Sequence, residues 1–257
     1  MKKMSDLITF YSLVKREIWR FSKVAIQTVF APLISTSLYL IIFSYSFRSR
    51  EVAEYGIDYI KFIVPGLIMM SLIQNSFANT SSSLIVAKYQ GSIVDLLLAP
   101  FSYMQLTLGL MIGGIARGLV VGLAIYIIAT FFYSGAVYSV GLLILFSFLI
   151  SGVFSLFGII AGLWAEKFDH ISIFSNFFIT PLTFLSGVFY SVKNLPGVWS
   201  KVSLFNPVFY MIDMARYAFV GVSDAKLSLS VTIVSILFIS LFFLTTYLFK
   251  IGYKIKD

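Results

Sequence analysis

Cysteine is absent from the chain and histidine occurs once, at His170. The first absence excludes disulfides, thiolate metal sites and cysteine nucleophiles; the second leaves no His-based metal cluster, because one imidazole cannot supply the ligands such a site needs. Charge is scarce too. Only 12% of the 257 residues are Asp, Glu, Lys or Arg, while 59% are hydrophobic, a balance that excludes an ordinary soluble domain and marks an integral membrane protein. The formal net charge of +8 is spread over segments flanking apolar runs and forms no dense patch, so lipid headgroups, not nucleic acid, are the expected anionic neighbours. At the start, MKKMSDLITFYSLVKREIWRF interrupts its apolar positions with charge and shows no small-residue cleavage site, so no cleaved signal peptide is read there.

Uncharged sequence is what the chain has in quantity, and about 20 apolar residues cross a bilayer as a helix. Val24 to Phe47 and Phe62 to Ala87 give spans one and two. Gly118 to Ala165 is uncharged for 48 residues, too long for one helix, and YSGAVYS at 133–139 supplies the turn that divides it into spans three and four. Ile171 to Val192 and Leu227 to Phe249 are spans five and six. With six spans both termini share one side, which carries Lys2, Lys3, Lys15, Arg16, Arg20, Lys23, Lys88, Lys167, Lys250, Lys254 and Lys256, eleven cations in all. The other side has seven, Arg48, Arg50, Lys61, Lys193, Lys201, Arg216 and Lys226. The positive-inside rule then places both termini in the cytoplasm.

Before span one, Leu7, Tyr11, Val14, Ile18 and Phe21 form one helical stripe, with Lys15, Arg16, Glu17 and Arg20 off it. This predicts an interfacial amphipathic helix over 5–22, N-capped by Ser5, with its apolar face toward the acyl chains and its cations toward headgroups. Between spans two and three, Ile85, Tyr89, Ile93 and Leu96 keep helical spacing around Lys88 and Asp95 until Pro100 stops the pattern, which predicts a cytoplasmic amphipathic helix over 84–100. The turn AEKFDHIS brings Glu166, Lys167, Asp169 and His170 together. Acid/base catalysis there would need a pocket and a substrate pose that a short exposed turn does not offer, so it reads as a solvated or docking turn.

Arg117 cannot be placed outside the membrane, since the uncharged stretch from Gly118 to Phe132 is too short to span and the third helix must begin before it. An intramembrane arginine lines a path, pairs with a neighbour or snorkels to headgroups. Around it, Gly109, Gly113, Gly114, Gly118 and Gly122 allow close helix approach. On span two, Gln74, Asn75, Asn79 and Ser83 lie within reach of one face, fit either for lining a cavity or for bonding helix to helix. Finally, Pro196 with Gly197, and Pro207 after Asn206, divide 191–226 into two helical pieces, about Val198–Leu204 and Val208–Val220, neither long enough to span. Their aromatics, Trp199 and Tyr210 among them, suit interface depth, so a re-entrant hairpin on the outer side is expected, with Asp213 and Arg216 paired at i, i+3.

TPLTFLSGVFYSVKNLP at 180–196, NPVFYMIDMARYAFVG at 206–221 and FIVPGLIMMS at 62–71 resemble the membrane subunit of ABC-2 type transporters. The resemblance covers nearly the whole chain and implies a single transmembrane domain over 1–257, all-α, with an N-terminal interfacial helix, six spans and an outer hairpin. It implies a homodimer in the cytoplasmic membrane that binds two copies of a separate ATP-binding subunit, which would hold ATP and Mg; no G-x-x-x-x-G-K-[ST] occurs in this chain, so it is not itself expected to be an enzyme or to carry a cofactor. By the same resemblance Lys88, Tyr89, Ile93 and Asp95 belong to a coupling helix, Glu166, Asp169 and His170 to a second ATPase contact, and Lys15 and Arg16 to a connecting helix. Pro196, Trp199, Asn206, Pro207, Tyr210, Asp213 and Arg216 would form the outer gate, and Gln74, Asn75, Asn79 and Arg117 are candidates for lining the path. The cargo implied is an amphipathic drug or lipid-like molecule. A polysaccharide (O-antigen, teichoic acid or capsule) is the alternative cargo; an ion-coupled secondary transporter fits less well, because every Asp and Glu falls at a connection or in the outer hairpin.

Overall fold

The computed structural model describes residues 2–47, 50–132 and 135–254; Arg48, Lys256 and the Tyr133–Ser134 start of the expected turn lie outside them. Helix α1 (Lys2–Ser22) leads through a π-helical turn (Ile26–Phe30) into α2 (Ala31–Ser46). A β-hairpin of two-residue strands, β1 (Glu51–Val52) and β2 (Ile57–Asp58), precedes α3 (Tyr59–Tyr89). Then follow α4 (Ile93–Leu98), α5 (Tyr103–Ala129), α6 (Val140–Trp164), α7 (Phe168–Phe174), a second π turn (Ser175–Ile179) and α8 (Thr180–Phe184). A 3-10 turn (Val192–Asn194), α9 (Val198–Phe205), α10 (Pro207–Val220) and α11 (Leu227–Ile251) complete the chain.

Helix α3 is the axis of the bundle, buried along nearly its whole length and packed on α5 and α6. Its sequence explains the position, since Ser, Thr and Asn replace bulky residues over 75–83 and would be costly facing lipid. Close packing follows from small residues on the partners. A Cβ at Gly158 of α6 would lie 2.5 Å from the Phe77 carbonyl oxygen, and one at Gly118 of α5 would lie 3.2 Å from the Leu72 carbonyl oxygen and collide with Ser76, so these helices touch backbone to backbone. By contrast α2 and α11 leave most of their apolar surface exposed, as expected of outer helices facing lipid or another protein.

Among the described residues, five helical runs are long and apolar enough to cross a membrane: Ile26–Ser46, α3, α5, α6 and α11. The expected fifth span, Ile171–Val192, differs. Its helix is broken by the π turn and ends at Phe184, short of a standard crossing, and the chain then turns through Gly187 at φ +76°. Thr183 and Ser186 direct their hydroxyls onto carbonyls of the preceding turn, a local competition that favours helix ends.

Other expectations are also corrected. The 51–58 hairpin, with Gly56 at φ +60° in its turn, adds a two-stranded sheet to an otherwise helical chain. α1 begins at Lys2, so Ser5 is inside it and not its N-cap. The single helix expected over 84–100 is two: α3 runs on to Tyr89, Gly91 at φ +72° turns the chain, and α4 lasts only six residues. After Pro100, a capping box between Ser102 and Gln105 starts α5 afresh.

Candidate functional site

At one end of the bundle the three expected inner elements converge. α1 packs along α5, placing Leu13 against Gly109 and Glu17 against Gly113. Leu7, Tyr11 and Ile18 of the predicted stripe are exposed, whereas Leu13, Glu17 and Phe21 are buried. The inward face of α1 is therefore partly charged, contrary to the sequence reading. Glu17, fully buried, accepts from Arg16 at 2.8 Å, from Arg20 at 3.3 Å and from Ser83 at 3.0 Å; Arg20 in turn donates to the Asn79 carbonyl oxygen at 2.6 Å and its side-chain oxygen at 2.9 Å. One carboxylate shared by two guanidiniums and a hydroxyl makes burial tolerable. The sequence does carry a trace of this role, since Glu17 follows Leu13 by four and precedes Arg20 by three.

Lys88 donates to the carbonyl oxygens of Leu163 and, at 3.1 Å, Ala165, so it caps the end of α6 and ties the α3–α4 connection to the α6–α7 turn. Tyr89 is 82% exposed, with its ring edge on Phe168 at 5.8 Å. Ile93 is buried, and Asp95 is exposed beside α1, where Ser12, Leu13 and Arg16 share a shallow cleft with it. Lys15 is exposed on the same helix. Glu166 pairs with Lys254 at 2.7 Å, a contact that holds its carboxyl below the usual range and brings the end of α11 to this face. His170 stacks obliquely on Trp164 at 5.3 Å and accepts from the Glu166 amide at 3.4 Å, while Asp169 is exposed in the first turn of α7. The result is an exposed, mixed-charge surface built from α1, α4, the α6–α7 turn and the end of α11.

Midway along the bundle, Arg117 donates to the Asn75 side-chain oxygen at 3.0 Å. A groove of about 470 Å³ between α2 and α3 has Arg117 and Gln74 in its wall. The two roles open for span two are thus divided. Gln74 lines a cavity, whereas Asn75 and Asn79 bond to α5 and α1.

The opposite end carries α9 and α10, the two short helices expected within 191–226, which start and stop within a residue or so of expectation. Asn206 joins its two pieces, accepting from the Val208 amide at 3.0 Å as N-cap of α10 and donating to the Leu182 carbonyl oxygen at 2.6 Å; Pro207 then occupies the first helical position. Tyr210 donates to the Leu204 carbonyl oxygen at 2.9 Å. α10 is buried against α3, α6 and α11, while Pro196 and Trp199 at the start of α9 are exposed.

The expected pair of Asp213 with Arg216 is replaced by a different network. Arg216 is fully buried, lies over the Phe62 ring at 3.8 Å, donates to the Gly187 carbonyl oxygen at 2.5 Å and approaches Asp224 at 3.7 Å. Asp213 instead accepts the backbone amides of Asp224 at 2.6 Å and Ala225 at 3.2 Å. Two amides converge on Asp213 because Gly221, at φ +77°, folds the chain back across the end of α10. Asp224, which sequence reasoning missed, also accepts from Tyr55 and from Ser191 at 2.9 Å, with Lys193 at 3.8 Å. Nothing in its local pattern, a polar loop residue after Gly221, distinguishes it.

A bundle of long apolar helices about a polar-cored axis, with an exposed charged face at one end and broken helices at the other, defines a polytopic all-α membrane protein. The ABC-2 type transporter profile matches residues 9–220, and the chain belongs to that family, the membrane permease subunits of ABC transporters. It is 43% identical over 220 residues, 86% of each chain, to the inner membrane transport permease YadH of Escherichia coli K12. It is 25% identical over 198 residues to the daunorubicin resistance ABC transporter permease protein DrrB1 of Streptomyces coeruleorubidus, covering 74% of this chain and 66% of the other. Nodulation protein J of Sinorhizobium fredii is 23% identical over 195 residues, 74% of this chain and 73% of its own.

Proposed function

We propose that the chain is the permease half of an ATP-driven exporter for amphipathic molecules, acting as a homodimer in the cytoplasmic membrane with two copies of a separate ATP-binding subunit. The observation that carries this reading is the convergence of α1, α4 and the α6–α7 turn on one exposed face. A soluble motor docked there would push on three elements joined rigidly to α3, α5 and α6, and such rigid-body coupling moves a path without any chemistry in the membrane half. The likeness to a drug-resistance permease supports an amphipathic cargo.

In this reading the bent run from Phe168 to Phe184 is the fifth of six crossings. The Lys254–Glu166 pair supports it, since the end of α11 returns to the face on which α1 lies. α9 and α10 then enter and leave the outer half of the bilayer as the external gate. Co-expression with the ATP-binding protein it pairs with tests the proposal: the two should copurify in equal numbers, and ATP hydrolysis in proteoliposomes should rise with an amphipathic drug. Transport by the chain alone, driven by a proton or sodium gradient, would overturn it.

A further inference from the structure

The groove between α2 and α3 contains more unsatisfied polarity than a helix contact needs. Its wall includes Thr28, Ser35, Gln74 and Arg117 beside Leu67 and Met70. The Nε of Arg117 and the hydroxyl of Thr28 are both buried with no hydrogen-bond partner. Nor is the charge of Arg117 balanced. Its side-chain partner is the neutral Asn75, and Glu17, which packs against Gly113 one helical turn before it, is already shared by Arg16 and Arg20. A half-buried cation in the middle of the bundle is costly to leave this way unless an anion or water completes it.

Shape adds to charge. The π turn at Ile26–Phe30 widens the start of the first membrane helix where Thr28 faces the groove, and such turns commonly open a helix at sites of function. A volume of about 470 Å³ lies within the range of small-molecule sites, large enough for an anionic head and part of an alkyl chain. The polar residues flank Arg117 and the apolar Leu67 and Met70 continue along α3, which is the pattern an amphiphile would match.

We propose that this groove binds the anionic group of an amphiphile, a phosphate or carboxylate attached to an alkyl chain, with Arg117 as its counter-charge and Thr28 and Gln74 as further hydrogen-bonding groups. The proposal refines the permease reading and rests on it only for the groove's place on the export path; the site itself stands or falls separately.

The test uses the full transporter complex in phosphatidylcholine nanodiscs with fluorescent dodecyl phosphate as probe. Saturable binding is expected, weakened roughly tenfold to a hundredfold in Arg117→Gln, the range for losing charge-assisted hydrogen bonds, and partly retained in Arg117→Lys. Uncharged dodecanol should show no dependence on residue 117. Competition by phosphatidylglycerol built into the disc would identify a bilayer lipid as occupant, and lack of it a free amphiphile; both support the site. Equal binding by the parent and a folded Arg117→Gln, judged by unchanged elution and melting, would overturn it, as would displacement by inorganic phosphate at matched concentration. A complex that hydrolyses ATP normally yet binds no dodecyl phosphate overturns the site and leaves the permease reading intact.

Discussion

Asp224 joins three parts of the chain to its own loop: the 51–58 hairpin through Tyr55, the 185–193 loop through Ser191, and α10 through Arg216 and, by its backbone amide, Asp213. Buried charges are tolerated only when each has a partner, so removing one member leaves the others exposed to the full desolvation cost. Asp224→Ala is therefore expected to destabilise the fold by about 3–5 kcal/mol, read as a large drop in melting temperature in detergent; a change smaller than that of a surface substitution would contradict the network. Burial first, and then the hydrogen bond to Asp224, raise the Tyr55 hydroxyl above its ordinary value of 10.0. A raised value in the folded state means that the contribution is complete below about pH 10 and is lost as pH climbs beyond it. Tyr55→Phe should flatten the alkaline limb of the stability curve, and an unchanged limb would show that Tyr55 does not titrate there. Glu17 and Asp224 show why residues in one sequence position can hide their roles. Two of their partners, Ser83 for Glu17 and Tyr55 for Asp224, are remote in sequence, so spacing within one element cannot reveal them.

Among the elements, those governed by local rules were legible in the sequence. α9 and α10 follow from two prolines and an Asn cap, and the long spans follow from uncharged length; both depend on interactions within a few residues. The broken helix ending at Phe184 was not legible, because a hydropathy count cannot see that Thr183 and Ser186 turn onto the backbone or that Arg216 draws in the Gly187 carbonyl. Nor was the split at Gly91, since the apolar spacing continues unbroken across it. Two predictions belong at this scale. Gly158→Val would force a side chain into the Phe77 backbone and separate α6 from α3, so it should cost about 1–3 kcal/mol or more; unaltered melting would contradict the close approach. For α9, the exposed Trp199 and Phe205 should sit at the bilayer interface. With the other two tryptophans replaced by Phe, brominated lipid should quench Trp199, and emission like that in water would contradict a membrane-dipping hairpin.

At the scale of the whole molecule, α2 is the most exposed of the apolar helices near the polar groove, so pairing with a second copy across α2 would cover both apolar surface and groove. In the proposed reading the energetic logic would be that of a lever driven from outside: charged, exposed elements at one end to receive force, a small-residue core to carry it and the charge-latched opposite end to respond. The absence of native cysteine makes the decisive experiment clean. A single Asp95→Cys is placed in the permease and labelled with a membrane-impermeant maleimide in inside-out vesicles, with and without the ATP-binding subunit. The account predicts rapid labelling of the permease alone and strong protection when the ATP-binding subunit is bound. Equal labelling in both cases, or labelling only from the outside of intact cells, would contradict it.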